Sequence, residues 1–177
     1  DAKGMLLAAI DDPNPVMIFE HKLLYKTKGY VPAEPYRVPI GKAAIRREGT
    51  DITIVGSSIM ALKAQAAAAR LADEGVSAEV IDLRSIRPID FTTIAESVRK
   101  THRLMVVYEG VKTMGIGAEI SAMIAESEVF DFLDAPIVRL GGVDAPIPYN
   151  PVLEKAAVPQ EDDIFAAALN LLRRGEA

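Results

Sequence analysis

Four short apolar runs, Ile52 to Val55, Ala78 to Leu83, Leu104 to Val107 and Ile137 to Leu140, are separated by stretches whose apolar residues recur at helical spacing. Runs of this length bounded by turn residues read as strands buried on both faces. Strands that alternate with helices form a parallel sheet, because the crossover that returns the chain to the same edge must pass over a face of the sheet. The pattern therefore predicts a three-layer α/β/α domain from about residue 40 onward.

The helix signals agree with that order. Gly56-Ser57-Ser58 offers a tight turn with a capping hydroxyl before an alanine-rich helix, and Gly75 is a natural stop for it. Asp90 is placed to cap a helix whose Phe91, Ile94 and Val98 fall on one face. After a loop from Gly110 to Gly117, Ile116, Ile120, Met123 and Ile124 mark a further helix, and the last is predicted over about Glu161 to Arg174. Its acids at the N-terminus and arginines at the C-terminus both complement the helix dipole.

Ahead of this domain, Lys3 to Ile10 reads as a short helix, residues 11–15 as a turn and Val16 to Phe19 as a buried strand. From Lys26 to Pro39 the pattern gives way to Gly29, Pro32, Pro35 and Pro39 with three tyrosines nearby, the composition of an ordered linker. The division expected is residues 1–30, a linker over 31–39, and a domain over 40–177. The chain starts at Asp1 without an initiator Met, which suggests processing, proteolysis or an artificial start.

Composition narrows the function. The 20 bases and 25 acids are interspersed, with a formal net charge of −5 and no basic stripe, so nucleic acid is not expected as a partner. Cysteine is absent, which removes disulfides, thiolate zinc sites and cysteine nucleophiles. No apolar run approaches the roughly 20 residues of a membrane helix, and no membrane partner is expected.

Few residues stand out chemically. Gly115-Ile116-Gly117 resembles the start of a dinucleotide loop, but Ile120 occupies the third glycine position and the loop follows a middle strand, so the glycines are read as serving chain geometry. His102 reads as a solvated loop residue beside Lys100 and Arg103. His21 lies between Glu20 and Lys22 just past an apolar run, either as a ligand-facing residue at a strand's carboxyl end or as a polar residue at a domain surface. The acids Asp82, Asp90, Glu109 and Asp144 lie near strand ends, where salt bridges between domains are the expected use. In Ala9-Ile10-Asp11-Asp12-Pro13-Asn14, helix-end carbonyls with Asp12 and Asn14 supply hard oxygen ligands for a cation, while an Asx-type turn accounts for the same residues.

Several stretches together carry a resemblance: Asp1-Ala-Lys-Gly, Ala9 to Pro15, Glu20 to Tyr25, Ile40-Gly-Lys-Ala, Glu48 to Val55, Glu79 to Asp90, Gly115 to Ile120, Leu133 to Pro136 and Ala145 to Tyr149. In this order they resemble the C-terminal half of the beta subunit of the thiamine-diphosphate-dependent, decarboxylating component of 2-oxo acid dehydrogenase complexes, of the pyruvate dehydrogenase type. The resemblance implies a transketolase C-terminal fold with a mostly parallel, five-stranded sheet, preceded by the last helix and strand of a pyrimidine-binding domain.

It also implies an oxidoreductase assembled as a heterotetramer, with an alpha subunit, a second beta subunit and a dihydrolipoyl acyltransferase core as partners. Thiamine diphosphate and magnesium serve the complete enzyme, and the family's activating glutamate and acyl-handling histidine lie in the part that would precede Asp1. No catalytic residue is therefore expected in this segment, which alone is expected to be inactive. Three local roles follow from the resemblance: a potassium-type ion at Ala9, Ile10, Asp12 and Asn14; His21 lining a substrate channel, by analogy with transketolases; and Asp134 as an acid on the surface that docks the acyltransferase core. Pyruvate is the leading substrate, ahead of acetoin and branched-chain 2-oxo acids; the alternative of a different class is a free-standing α/β domain that binds a small ligand or a protein. A cytoplasmic location is expected, or the mitochondrial matrix in a eukaryote.

Overall fold

The structure, a computed structural model, describes residues 1–174. Its centre is a five-stranded sheet formed by β1 (Ala44–Arg47), β2 (Ile52–Gly56), β3 (Ala78–Asp82), β4 (Leu104–Val111) and β5 (Val138–Gly142), in the order β1-β3-β2-β4-β5. Four strands run parallel, and β1 closes one edge antiparallel to β3. Helices α2 (Ile59–Asp73), α3 (Phe91–Thr101), α4 (Ile116–Ala125) and α6 (Glu161–Arg174) alternate with these strands as the apolar periodicity predicts.

Because successive strand residues point to opposite faces, each central strand feeds two cores. Ile52 and Ile54 of β2 with Met105 and Val107 of β4 pack against Ala64, Ala68 and Leu71 of α2 and Ile164, Ala168 and Leu171 of α6. Val55 with Leu104, Val106 and Tyr108 packs on the other side against Ile94 and Val98 of α3 and Ile120 and Ile124 of α4. These are the three layers expected from the sequence, with the central strands β2 and β3 and most of β4 buried on both faces.

The chain ahead of the sheet is built differently. Helix α1 (Ala2–Asp11) buries only Gly4, where the Tyr36 ring and Val38 lie so close that an added Cβ would fall 2.6 Å from each. The Gly4 carbonyl accepts from the Val38 N–H at 3.1 Å. The Lys3 ammonium donates to the carbonyls of Pro32, Ala33 and Glu34 at 2.6, 2.8 and 3.0 Å, which ties the proline-rich stretch to α1. A one-turn 3-10 helix, Lys22–Lys26, follows.

Three local expectations need correction. Val16 to Phe19, expected as a buried strand, has no regular secondary structure and belongs to no sheet, and Met17 and Phe19 are 78% and 83% exposed. Its apolar character marks a β-type segment, but among the described residues no strand edge pairs with it. Ser58 does precede α2, but at φ 55° and ψ −131° and without the side-chain cap expected of it. Within the Gly/Pro-rich stretch before α6 there is an additional helix, α5 (Pro151–Ala157), capped by the Asn150 side chain, which accepts from the Val152 and Leu153 N–H groups.

Candidate functional site

In this strand order β2 leads through α2 to β3 on one side, and the chain then crosses to β4 on the other side of β2. The carboxyl ends of β2 and β4 therefore flank the point where the direction of winding reverses, the usual ligand crevice of an open α/β sheet. Glu109 lies near the end of β4, where the register with β5 shifts between Val107 and Val111. Such irregularities re-aim a side chain.

Glu109 meets His21. The His21 Nε2 is 3.2 Å from both carboxylate oxygens, and Nδ1 accepts from the Leu23 N–H at 3.2 Å, so His21 caps the 3-10 turn that it precedes. An Nδ1 that accepts leaves the ring proton on Nε2, which donates it to Glu109. Both ring nitrogens are thus engaged, and the arrangement holds residues 20–26 at the carboxyl end of β4. Lys63 of α2 closes the other side by donating to the Pro159 carbonyl at 2.9 Å and the Gln160 Oε1 at 3.1 Å. Burial lowers its ammonium pKa, against the opposing charges of Glu109, Glu161 and Asp163.

The turn after α1 is an Asx turn. Asp12 Oδ1 accepts from the Asn14 N–H at 2.9 Å and from its side-chain amide at 3.0 Å. Pro13 has no N–H to continue the helix onto the Ala9 carbonyl, and the Asn14 N–H is turned away from Ile10 toward Asp12. Two helix-end carbonyls, the second Asp12 oxygen and the Asn14 Oδ1 are the oxygens this turn has for a cation.

The remaining acids serve as structural anchors. Asp90 caps α3 through Thr93 and also accepts from the Ala43 N–H at 3.0 Å. Burial raises its carboxyl pKa, but the N–H of Ala43 and the bonds from Thr93 outweigh that and hold it below its ordinary value. Asp144 accepts from the Thr113 hydroxyl at 2.8 Å. Asp82 accepts from Arg46 at 2.7 Å within the α/β domain, while Arg46 and Arg84 reach across to Asp1; of the four acids expected to bridge between domains, Asp82, Asp90 and Asp144 find their partners among the described residues inside the α/β domain, and Glu109 pairs with His21 of the N-terminal segment.

Asp134 is half exposed, 3.9 Å from Arg103, and its N–H donates to the His102 carbonyl. His102 is more engaged than a solvated loop residue: its Nδ1 lies 2.8 Å from the Phe132 carbonyl and its ring stacks on Phe132. The Gly115 and Gly117 pair admits the Tyr108 ring, which would lie 2.6 Å from a Cβ on Gly115 and closer still to one on Gly117. Tyr108 thus fills the space that a phosphate would need. Among the described residues, no group of three or more His, Cys, Asp or Glu side chains is arranged to hold a metal ion. No helix there is long and apolar enough to cross a membrane.

Glu109 as the partner of His21, and the Asp1, Arg46 and Arg84 cluster, were not singled out as pairs by sequence. No local signal marks contacts between residues 88, 45 and 83 positions apart.

Residues 41–164 match the family described as transketolase, C-terminal domain. The chain is 52% identical over 172 residues to pyruvate dehydrogenase E1 component subunit beta-2, mitochondrial, of Oryza sativa subsp. japonica, which covers 95% of this chain and 46% of that protein. It is 48% identical over 172 residues to pyruvate dehydrogenase E1 component subunit beta of Gracilaria tenuistipitata var. liui, covering 97% of this chain and 53% of that one. Among solved structures, a split-gene transketolase in an inactive beta4 tetramer superposes with a TM-score of 0.69 at 28% identity, over 82% of this chain and 45% of that chain. The chain spans about half the length of the curated relatives it matches.

Proposed function

The chain belongs to the transketolase C-terminal domain family, and from that premise we propose that it is the C-terminal part of the beta subunit of a thiamine-diphosphate-dependent 2-oxo acid dehydrogenase. The type favoured is the acetyl-transferring pyruvate dehydrogenase, which decarboxylates its 2-oxo acid oxidatively and passes the acyl group to a lipoyl group. The observation that carries this is the 52% identity over 172 residues, which takes in the N-terminal segment as well as the α/β domain.

On this reading residues 1–30 are the tail of a pyrimidine-binding domain, 31–39 are the linker and 40–177 are the transketolase-type domain. The segment serves subunit assembly and docking, with an alpha subunit, a second beta subunit and the acyltransferase core as its partners. Met17, Phe19, Tyr30, Tyr149 and Val152, each more than 75% exposed, are apolar surface available to such partners. Thiamine diphosphate and magnesium belong to the complete enzyme. The glycine loop of this segment does not fit a diphosphate, because Tyr108 occupies the space beside it.

Within the segment, Ala9, Ile10, Asp12 and Asn14 are assigned a potassium-type ion, His21 the wall of the substrate channel, and Asp134 the docking of a basic residue of the acyltransferase core. Several relatives are named as mitochondrial, which favours the mitochondrial matrix if the source is a eukaryote and the cytoplasm if it is not. A substrate panel on the complete enzyme, with its alpha subunit and a lipoyl acceptor, tests the reading. Pyruvate should be used well ahead of branched-chain 2-oxo acids and acetoin. Preference for either of those would move the protein to a sister enzyme, and failure to join any alpha subunit would overturn the assignment.

A further inference from the structure

Two guanidinium groups converge at the antiparallel edge of the sheet. Arg84, which follows β3 with a positive φ of 54°, donates from Nε to the Lys42 carbonyl at 3.1 Å and from Nη2 to the Ala43 carbonyl at 2.9 Å. Arg46 of β1 donates from Nε and Nη2 to Asp82 at 3.2 and 2.7 Å. The α/β domain itself therefore fixes both groups. Each guanidinium then offers one further bond to Asp1: Arg84 Nη1 to Oδ1 at 3.3 Å, and Arg46 Nη2 to Oδ2. One carboxylate spans two arginines, an oxygen to each.

Like charges held this close repel, and burial together with the nearby Arg46 lowers the Arg84 pKa, so an anion between them is favoured. Asp82 neutralises one of the two charges, and Asp1 neutralises the other. Asp1 comes from the start of α1, whose only buried residue is Gly4. Because the α/β domain holds both guanidinium groups through Lys42, Ala43 and Asp82, the anion is the member of the cluster that can exchange.

We propose that Arg46 and Arg84 form a preorganised oxyanion receptor, filled in this structure by the Asp1 carboxylate, for which a free oxyanion of the phosphate or carboxylate class competes with α1. Bound, Asp1 fastens α1 to the α/β domain; displaced, it frees the start of that helix. Tethering gives Asp1 an effective concentration of order millimolar, so competition in the intact chain calls for phosphate at roughly millimolar concentration or above.

The test is titration of the protein and of its Asp1→Gly variant with inorganic phosphate at constant ionic strength, with chloride as the reference anion. Glycine keeps a fair helix N-cap while emptying the receptor. Asp1→Gly should bind one phosphate about tenfold or more tightly than the parent, and adding Arg46→Gln should remove that binding. Arg46 lies on an edge strand, so its loss leaves the core intact. In the parent, phosphate should speed amide exchange over residues 3–11 while chloride does not. Equal phosphate uptake by parent and Asp1→Gly, binding that survives Arg46→Gln, or an equal effect of chloride on exchange would overturn the proposal.

Discussion

Replacing Lys100 with methionine should destabilise the protein more than a surface salt bridge would. The Glu79 side chain is 1% exposed, at the start of β3, and its Oε2 accepts from the Lys100 ammonium and from the Gly49 N–H at 3.3 Å. Its other oxygen is buried and has no hydrogen-bond partner among the described residues. Nearby, the Ser97 and Thr101 hydroxyls are each joined to that of Thr53 at 2.6 Å, and Thr101 donates onward to the Arg103 carbonyl. Breaking a buried pair costs about 3–5 kcal/mol, and because Lys100 is 41% exposed, solvent screening reduces this to about 2 kcal/mol. For a chain of this size that is a fall in Tm of about 4–8 °C.

The pH dependence separates this account from simple loss of packing. Burial raises the Glu79 pKa, but the Lys100 ammonium, with the Gly49 N–H among the smaller contributions, holds it below the ordinary 4.5. Its contribution to stability is therefore full above that ordinary value and is lost as pH falls through the lower folded value. Without Lys100, burial dominates and the pKa rises instead, so the penalty is largest at neutral pH and is relieved as the carboxyl takes up its proton. Thermal unfolding of parent and Lys100→Met at pH 7 and near pH 4.5 should show the gap narrow on acidification, and Glu79→Gln on top of Lys100→Met should recover part of it. A gap that stays constant with pH, or a cost below about 0.5 kcal/mol, would refute the reasoning.

Other changes should act as follows. Gly117→Ala drives a Cβ into the Tyr108 ring and should cost about 1–3 kcal/mol in denaturant unfolding. Tyr108→Phe should be neutral or stabilising, because the buried hydroxyl has no partner among the described residues. Asp90→Ala removes the cap of α3 and the acceptor for the Ala43 N–H, at about 1–2 kcal/mol. That loss should shrink as acid protonates Asp90 in the parent, since its folded pKa lies below its ordinary one. Glu109→Gln should speed amide exchange over residues 20–26 while leaving the protection of β2 and β4 unchanged.

Much of the fold was legible because burial on both faces leaves a local trace. β2 to β5, α2, α3, α4 and α6 show as apolar runs, helical spacing and caps such as Asp90. β1 leaves little trace, since an edge strand carrying Arg46 and Arg47 is half exposed and breaks the apolar run. α5 was hidden in a Gly/Pro-rich stretch, although Asn150 followed by Pro151 is a usable start signal. Val16 to Phe19 misled for a different reason: an apolar pattern shows that a segment is suited to a sheet, and says nothing of whether its neighbouring strands belong to the same stretch of chain. The site was less legible. Residue types singled out His21 and Glu109 separately, but only the fold brings them together, and the Asx turn at Asp12 is compatible with either use of that segment.

Assembly tests the central claim most directly. When the complete subunit that contains this chain is expressed with a pyruvate dehydrogenase alpha subunit, native mass spectrometry should find a heterotetramer of two alpha and two beta subunits. It should form in the presence of thiamine diphosphate and magnesium and decarboxylate pyruvate. A subunit that remains apart from the alpha subunit at micromolar concentration, correctly folded and with the cofactor present, would contradict the account.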